Sequence, residues 1–164
     1  MATPPIDPVA EADAPARHLA QDLLTHARHA SLSFLDPATG TPGISRIAFG
    51  LDPQGCPLTL VSALSQHAGA LRANADCAVM VGEVGDKGDP LTHPRLMIRA
   101  RAMFVAADDP ARPDLRAHWL KGHPKAALYV DFADFAFARL VPVQALLNAG
   151  FGRAYRLSAA DLQP

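Results

Sequence analysis

The chain has 164 residues, 15 Lys and Arg against 16 Asp and Glu, a net charge of -1 and 49% hydrophobic content. That length fits one domain with a full core, and the balanced charge excludes a broad cationic surface for nucleic acid. Near-half apolar content excludes a disordered chain, and no stretch reaches the ~20 apolar residues of a membrane helix.

Residues 1–12 are rich in Pro and Ala without an apolar period and read as a flexible arm, leaving 13–164 as a single domain. The opening has neither the basic nor the apolar region of an export signal. The cytoplasm is therefore the expected compartment, with Cys56 and Cys77 reduced and small. Asp13 caps a helix with Pro15 in its first turn, and Leu19, Leu23, Leu24 and Ala27 share a face. From Ser31 the period changes to two. Leu32 and Phe34 alternate with serines, and after the turn-rich 36–40 run Ile47, Phe49 and Leu51 alternate with Arg46, Ala48 and Gly50. Asp52-Pro53-Gln54-Gly55 is a turn, and 57–62 returns as the second strand of a hairpin.

Ser65 caps a short helix over 65–74, followed by a strand at 77–81 and a polar loop at 85–90. Arg95 to Val105 is the clearest strand, with Leu96, Ile98, Ala100, Ala102 and Phe104 on one face and Arg95, Arg99 and Arg101 on the other. Two helices start at Asp109-Pro110, carrying Leu115, Trp119 and Leu120, and at His123-Pro124, carrying Ala127, Leu128 and Val130. Phe135 to Val141 alternates again, and 143–149 and 153–157 are further strands. The total is about six or seven mostly antiparallel strands with short helices, a barrel-like α+β domain rather than a parallel doubly wound sheet.

Motifs for phosphate loops, dinucleotide folds and serine hydrolases are absent. His26 and His29 lack a third metal ligand, and Asp86, Asp89 and His93 lack calcium-loop spacing, so no metal site is expected. Two segments carry more. Arg46 stands on the polar face of a strand whose other face is core, and Ser62 to His67 runs from a strand end into a helix start. Hydroxyls, helix N-terminal N–H groups, an imidazole and a guanidinium converging there would suit a phosphate monoester.

Segments 45–81, 95–104 and 118–154 resemble the flavin-binding split-barrel superfamily of pyridoxamine 5'-phosphate oxidase, most closely its haem-utilisation (HugZ/HutZ-like) branch. The carrying residues are Ser45-Arg46, Val61-Ser62-Ala63-Leu64-Ser65-Gln66-His67, Arg95-Leu96-Met97-Ile98, His123-Pro124, Asp131-Phe132, Asp134-Phe135, Arg139-Leu140 and Gly150-Phe151-Gly152. The resemblance implies a homodimer of six-stranded antiparallel split barrels with FMN at the subunit interface. Arg46 would meet the phosphate, and Ile47 and Ala48 would line the ring with their backbone. Ser62 would hydrogen-bond the flavin or its phosphate tail, Ser65, Gln66 and His67 would occupy the phosphate-binding stretch, and Arg95 would approach the flavin ring. The expected function is an FMN-dependent oxidoreductase on a small-molecule substrate, with no catalytic side chain assigned. The alternatives are a haem-binding or haem-degrading protein, or a flavin carrier without turnover; a deazaflavin is a further possible ligand.

Several positions depart from the oxidase pattern. Gln66 and His67 stand where the oxidases have Arg and Lys, and Gly50-Leu51 where their strand ends in Lys. No histidine falls within Gly152-Arg153-Ala154-Tyr155-Arg156, which argues against pyridoxamine phosphate as substrate. The C-terminal module of haem-degrading members has no counterpart in residues 158–164. His118 and His123 are further imidazoles able to ligate haem iron. His123 also precedes Pro124 at a helix start, which is a structural position.

Overall fold

The computed structural model describes residues 7–163. Nine strands and three α-helices follow in chain order: β1 (Val9–Glu11), α1 (Ala14–His26), β2 (His29–Leu35), β3 (Pro42–Ala48), β4 (Gly50–Leu51), β5 (Pro57–Ser62), α2 (Gln66–Ala73), β6 (Asp76–Val81), β7 (Arg95–Phe104), α3 (Arg112–Gly122), β8 (Phe135–Asn148) and β9 (Ala154–Ser158). Six of the strands wrap in the hydrogen-bonded order β3-β2-β6-β7-β8-β5. Between the two ends of that row the Thr59 hydroxyl, fully buried, donates to the Ala48 carbonyl at 2.7 Å. The fold is an α+β split barrel, as the alternation of the sequence predicts.

The departures have local causes. Val9–Glu11 pairs in parallel with Ala154–Arg156, so the expected flexible arm is ordered from residue 9, while residues 1–6 lie outside the described residues. The run expected as one strand through Leu51 breaks after Ala48, because β3 pairs with β2 whereas Gly50–Leu51 turns to pair with β5. Residues expected as two strands form the single fourteen-residue β8. The turn after α3 is a short 3₁₀ segment, Pro124–Leu128, which buries Ala126 and leaves Leu128 exposed.

Capping confirms the two helix starts read from sequence: Asp13 accepts the Ala16 N–H at 2.8 Å, and Ser65 accepts that of Ala68 at 3.3 Å. The face α1 buries is Ala16, Ala20 and Leu24, flanked by half-buried Leu19, Leu23 and Ala27. Small side chains let that helix lie close to the sheet. Gly43 serves a similar end in β3. A Cβ there would come within 2.5 Å of the Phe34 ring, which lies across its cross-strand partner.

Leu32, Phe34, Ile47, Phe49, Val79, Leu96, Ile98, Leu140 and Leu147 fill the barrel. A second core lies outside it, where Leu58, Leu60 and Phe137 meet Leu115, Trp119, Ala126 and Val130. β5 is therefore covered on both faces, which is why its sequence is an apolar run and not an alternation.

The hairpin between β4 and β5 is tied by Asp52. Its Oδ1 accepts the Gln54 and Cys56 N–H groups, each at 2.9 Å, and its Oδ2 accepts from Arg139 Nε at 2.8 Å. Only 2% of the Asp52 side chain is exposed, against 27% for Arg139. Replacing Asp52 by Ala strips a guanidinium and two backbone donors of their acceptor. We expect about 2–3 kcal/mol of destabilisation, below the value for a fully buried pair because Arg139 reaches water. Urea unfolding checks this, and a loss under about 0.5 kcal/mol, the level of an exposed pair, contradicts it.

Candidate functional site

The residues expected around a phosphate divide into two groups. Ser62, Ser65, Gln66 and His67 come together where β5 ends and α2 begins. Their side chains, however, are engaged by the chain itself. Ser62 Oγ donates to Asp134 Oδ2 at 2.5 Å and accepts from the Leu64 N–H at 3.1 Å. Ser65 Oγ donates to the Ser62 carbonyl at 2.7 Å while capping α2. Gln66 Nε2 donates to Asp36 Oδ2 at 3.0 Å. Two carboxylates thus stand beside the donors that a phosphate would need. The N–H groups of Gln66 and His67 have no acceptor among the described residues.

Arg46 lies on the outer face of β3, opposite Ser31, exposed and without a hydrogen bond or ion pair among the described residues. The strand rise puts it roughly 13 Å along β3 from the end nearest Asp36. Ile47 is core, so only its backbone is available to a ligand, and the Ala48 carbonyl is already taken by Thr59. Arg95 is two intervening strands away from β3, at the start of β7, where it donates to the Leu91 carbonyl at 3.1 Å. The structure gathers the α2 residues, sets Arg46 on an adjoining face, and leaves Arg95 apart.

A different cavity of about 440 Å³ opens between the end of α1, the β4–β5 turn and the last turn of α3. Arg28, His118, Lys121 and His123 line it, with Leu51 and Pro53 as its apolar wall. His123 Nε2–H donates to the Phe49 carbonyl at 2.9 Å, and its ring stacks on Trp119 at 4.0 Å. Sequence reading named the two histidines but neither cation. Arg28 and Lys121 lie near the ends of separate helices, with nothing local in the sequence to join them.

His67 and His123 are each half-buried, and burial is the main reason that both titrate below the ordinary imidazole value of 6.5. For His123 the Phe49 bond opposes the shift and the Arg28 charge adds to it. The two free thiols, Cys56 and Cys77, are pushed up to about 11, chiefly by burial. Among the described residues no three His, Cys, Asp or Glu side chains gather to hold a metal ion, and no helix is long and apolar enough to cross a membrane.

The architecture is that of a split barrel with a cavity at the β4–β5 turn, and known proteins share that fold. No family model matches the chain. An atypical chloroplastic heme oxygenase, HOZ of Arabidopsis thaliana, is 32% identical over 123 residues, which is 75% of this chain and 36% of that protein. The chain thus spans about a third of that relative's length. One solved structure is 45% identical with a TM-score of 0.85, covering 94% of this chain and 99% of its own. A heme binding protein from Mycobacterium smegmatis shares the fold at 22% identity and a TM-score of 0.81, over 92% of this chain and 61% of its own. A FAD-binding protein from Mesorhizobium loti does so at 16% and 0.64, over 79% and 91%. The chain has the split-barrel fold that these flavin- and heme-binding proteins share, as the resemblance read from its sequence implies.

The depressed imidazoles fix a pH dependence. The folded chain resists protonating His67 and His123, whereas the unfolded chain takes those protons below about pH 6.5. Stability is therefore full above that value and declines as pH falls through it. Asp131, held low by its hydrogen bond to Arg116, and Asp161, held low by Ser158, contribute only nearer the ordinary 3.8. The urea midpoint should drop between pH ~7.5 and ~5, and the drop should shrink when His67 and His123 are both changed to Gln. An identical drop in that variant refutes the assignment.

Proposed function

We propose that the chain is a haem-binding protein of the haem-utilisation branch, acting as a cytoplasmic homodimer. One observation carries this reading over a flavin mononucleotide site: the side-chain donors at α2 are bonded to Asp36 and Asp134, so a phosphate dianion would meet two carboxylates there. Haem makes other demands, namely an imidazole with a free nitrogen, cations for two propionates and apolar walls. The chain has half-buried imidazoles and unpaired cations among the described residues, and similarity to a heme oxygenase supports the same reading. When bound, haem supplies the redox chemistry at its iron. The chain's own part is to hold the carboxylate edge, present an imidazole and keep water from the ring.

The second reading is flavin. It rests on Arg46, exposed and unengaged among the described residues, and on the two N–H groups opening α2. Parallel titrations separate the readings. Hemin should give a saturating Soret change while FMN fluorescence stays unquenched. Quenching of FMN that weakens by about 1.5–3 kcal/mol in Arg46→Ala, with no Soret change, would replace haem by flavin. If hemin binds, loss of the Soret band on adding a reductant in air marks an oxygenase, and its persistence marks a carrier.

The dimer is supported by the outer face of the barrel, where Ile44 is 77%, Met103 60% and Val143 56% exposed. Such apolar side chains on one sheet surface suit a two-fold contact. Light scattering should return twice the 17.3 kDa chain mass, and Ile44→Glu should shift it toward one. A monomeric parent protein would exclude the arrangement.

A further inference from the structure

Residues 82–94 connect β6 to β7, and one side chain ties the outgoing leg of this loop to the returning one. We propose that His93 is a pH-operated latch: its neutral ring holds Gly85 in place, and protonation of the ring releases the stretch 84–88. The latch lies outside the haem and flavin readings and depends on neither.

Both nitrogens of the ring are used. Nδ1 accepts from the Gly85 N–H at 3.2 Å, and Nε2–H donates to the Lys87 carbonyl at 2.9 Å. The backbone dictates these roles, since an N–H can only donate and a carbonyl only accept. The ring is therefore neutral, with its proton on Nε2. Among the described residues no other hydrogen bond joins the leg 83–88 to the leg 89–94. Gly85 shows the same fit from the other side. Its backbone is not left-handed, yet a Cβ there would come within 2.9 Å of the His93 ring. Space for the imidazole selects glycine at this position.

Acid removes half of this arrangement. A protonated imidazole carries hydrogen on both nitrogens and keeps no acceptor. Nδ1–H then points at the Gly85 N–H, donor against donor, while the bond from Nε2–H to Lys87 survives. The Gly85 side must part from the ring, and the loop is built to allow it. Gly82 at φ +122° and Gly88 at φ +85° bracket the released stretch, where glycine takes up backbone changes that other residues resist. The returning leg is held independently. Asp89 caps the 3₁₀ turn Pro90–Thr92 by accepting the Leu91 N–H at 2.8 Å, and Arg95 donates to the Leu91 carbonyl at 3.1 Å.

Glu83 fixes the start of the loop by pairing with His29 of β2 at 2.9 Å, and protonation of His29 turns that contact into an ion pair. Acid thus tightens the base of the loop while it frees the middle. Of the other charges nearby, Asp86 and Lys87 are exposed, and Arg153 of the β8–β9 turn donates to the Ala149 carbonyl. At the end of α1, Asp22 and His26 line a cavity with Glu83 and Pro94, and the His26 ring is bonded to the Asp22 carbonyl. None of these groups forms a hydrogen bond or ion pair with the His93 ring among the described residues.

Nitrogen NMR and amide exchange on the full chain test the latch. At pH ~7.5 the His93 ring should report the Nε2–H tautomer. Between pH ~7.5 and ~5 the Gly85 amide should lose about tenfold in protection from exchange with water, after correction for the intrinsic pH dependence of exchange. Amides of the β6–β7 ladder should keep theirs. His93→Ala should leave Gly85 unprotected at both pH values. His93→Asn, whose side-chain oxygen accepts from Gly85 without titrating, should hold the protection constant. An Nδ1–H tautomer, equal protection of Gly85 at both pH values in the parent protein, or a pH step that persists in His93→Ala overturns the proposal.

Discussion

One strand holds the architecture together. β8 pairs with β7 from Ala138 to Asn148, but its other edge serves two partners in succession: β5 opposite Phe135–Arg139, then β9 opposite Gln144–Asn148. Pro142 lies in the gap between them. It has no N–H to give either partner, and it faces Ala100 where the β7 register shifts. The residue after it, Val143, is the one left over at that bulge, and it turns outward. A strand that changes partners halfway cannot close a simple barrel. The wall therefore splits, with β5 carried away from β9 and back toward β3.

The position of the cavity follows from that split. Because β5 peels off with the first half of β8, its outer face needs a cover, and α3 with the 3₁₀ turn after it supplies one through Leu115, Trp119, Ala126 and Val130. The C-terminal turn of α3 is thereby brought against the β4–β5 turn and the end of α1. Asp52 and Arg139 fix the hairpin to β8, and His123 fixes α3 to the strand at Phe49. Three elements distant in sequence are held at one opening by two polar ties, and Arg28 and Lys121 are side effects of how two helices terminate.

Local rules account for what the sequence revealed. Alternation in β2 and β7 and the caps at Asp13 and Ser65 depend on a few neighbouring residues, so these elements were legible. β1 was not, because three residues without an apolar period become a strand only when β9 offers an edge. The break between Ala48 and Gly50 was hidden for a similar reason: both sides carry the same alternation, and only the change of partner divides them. At the site, residue types suggested converging donors around α2. Spacing could not show that Asp36, thirty positions away, and Asp134, seventy-two away, would take those donors.

That competition bears on how one fold serves two kinds of ligand. A flavin nucleotide brings a compact dianion that must be met by permanent cations or unopposed donors, and here Gln66 and His67 stand where the oxidases place Arg and Lys. His67 adds nothing permanent, since burial favours its neutral form. The nearby Ser62 and Gln66 donate to the chain's own carboxylates, Asp134 and Asp36. Charge alone thus leaves the start of α2 a weaker seat for a phosphate dianion than the residue types there suggest.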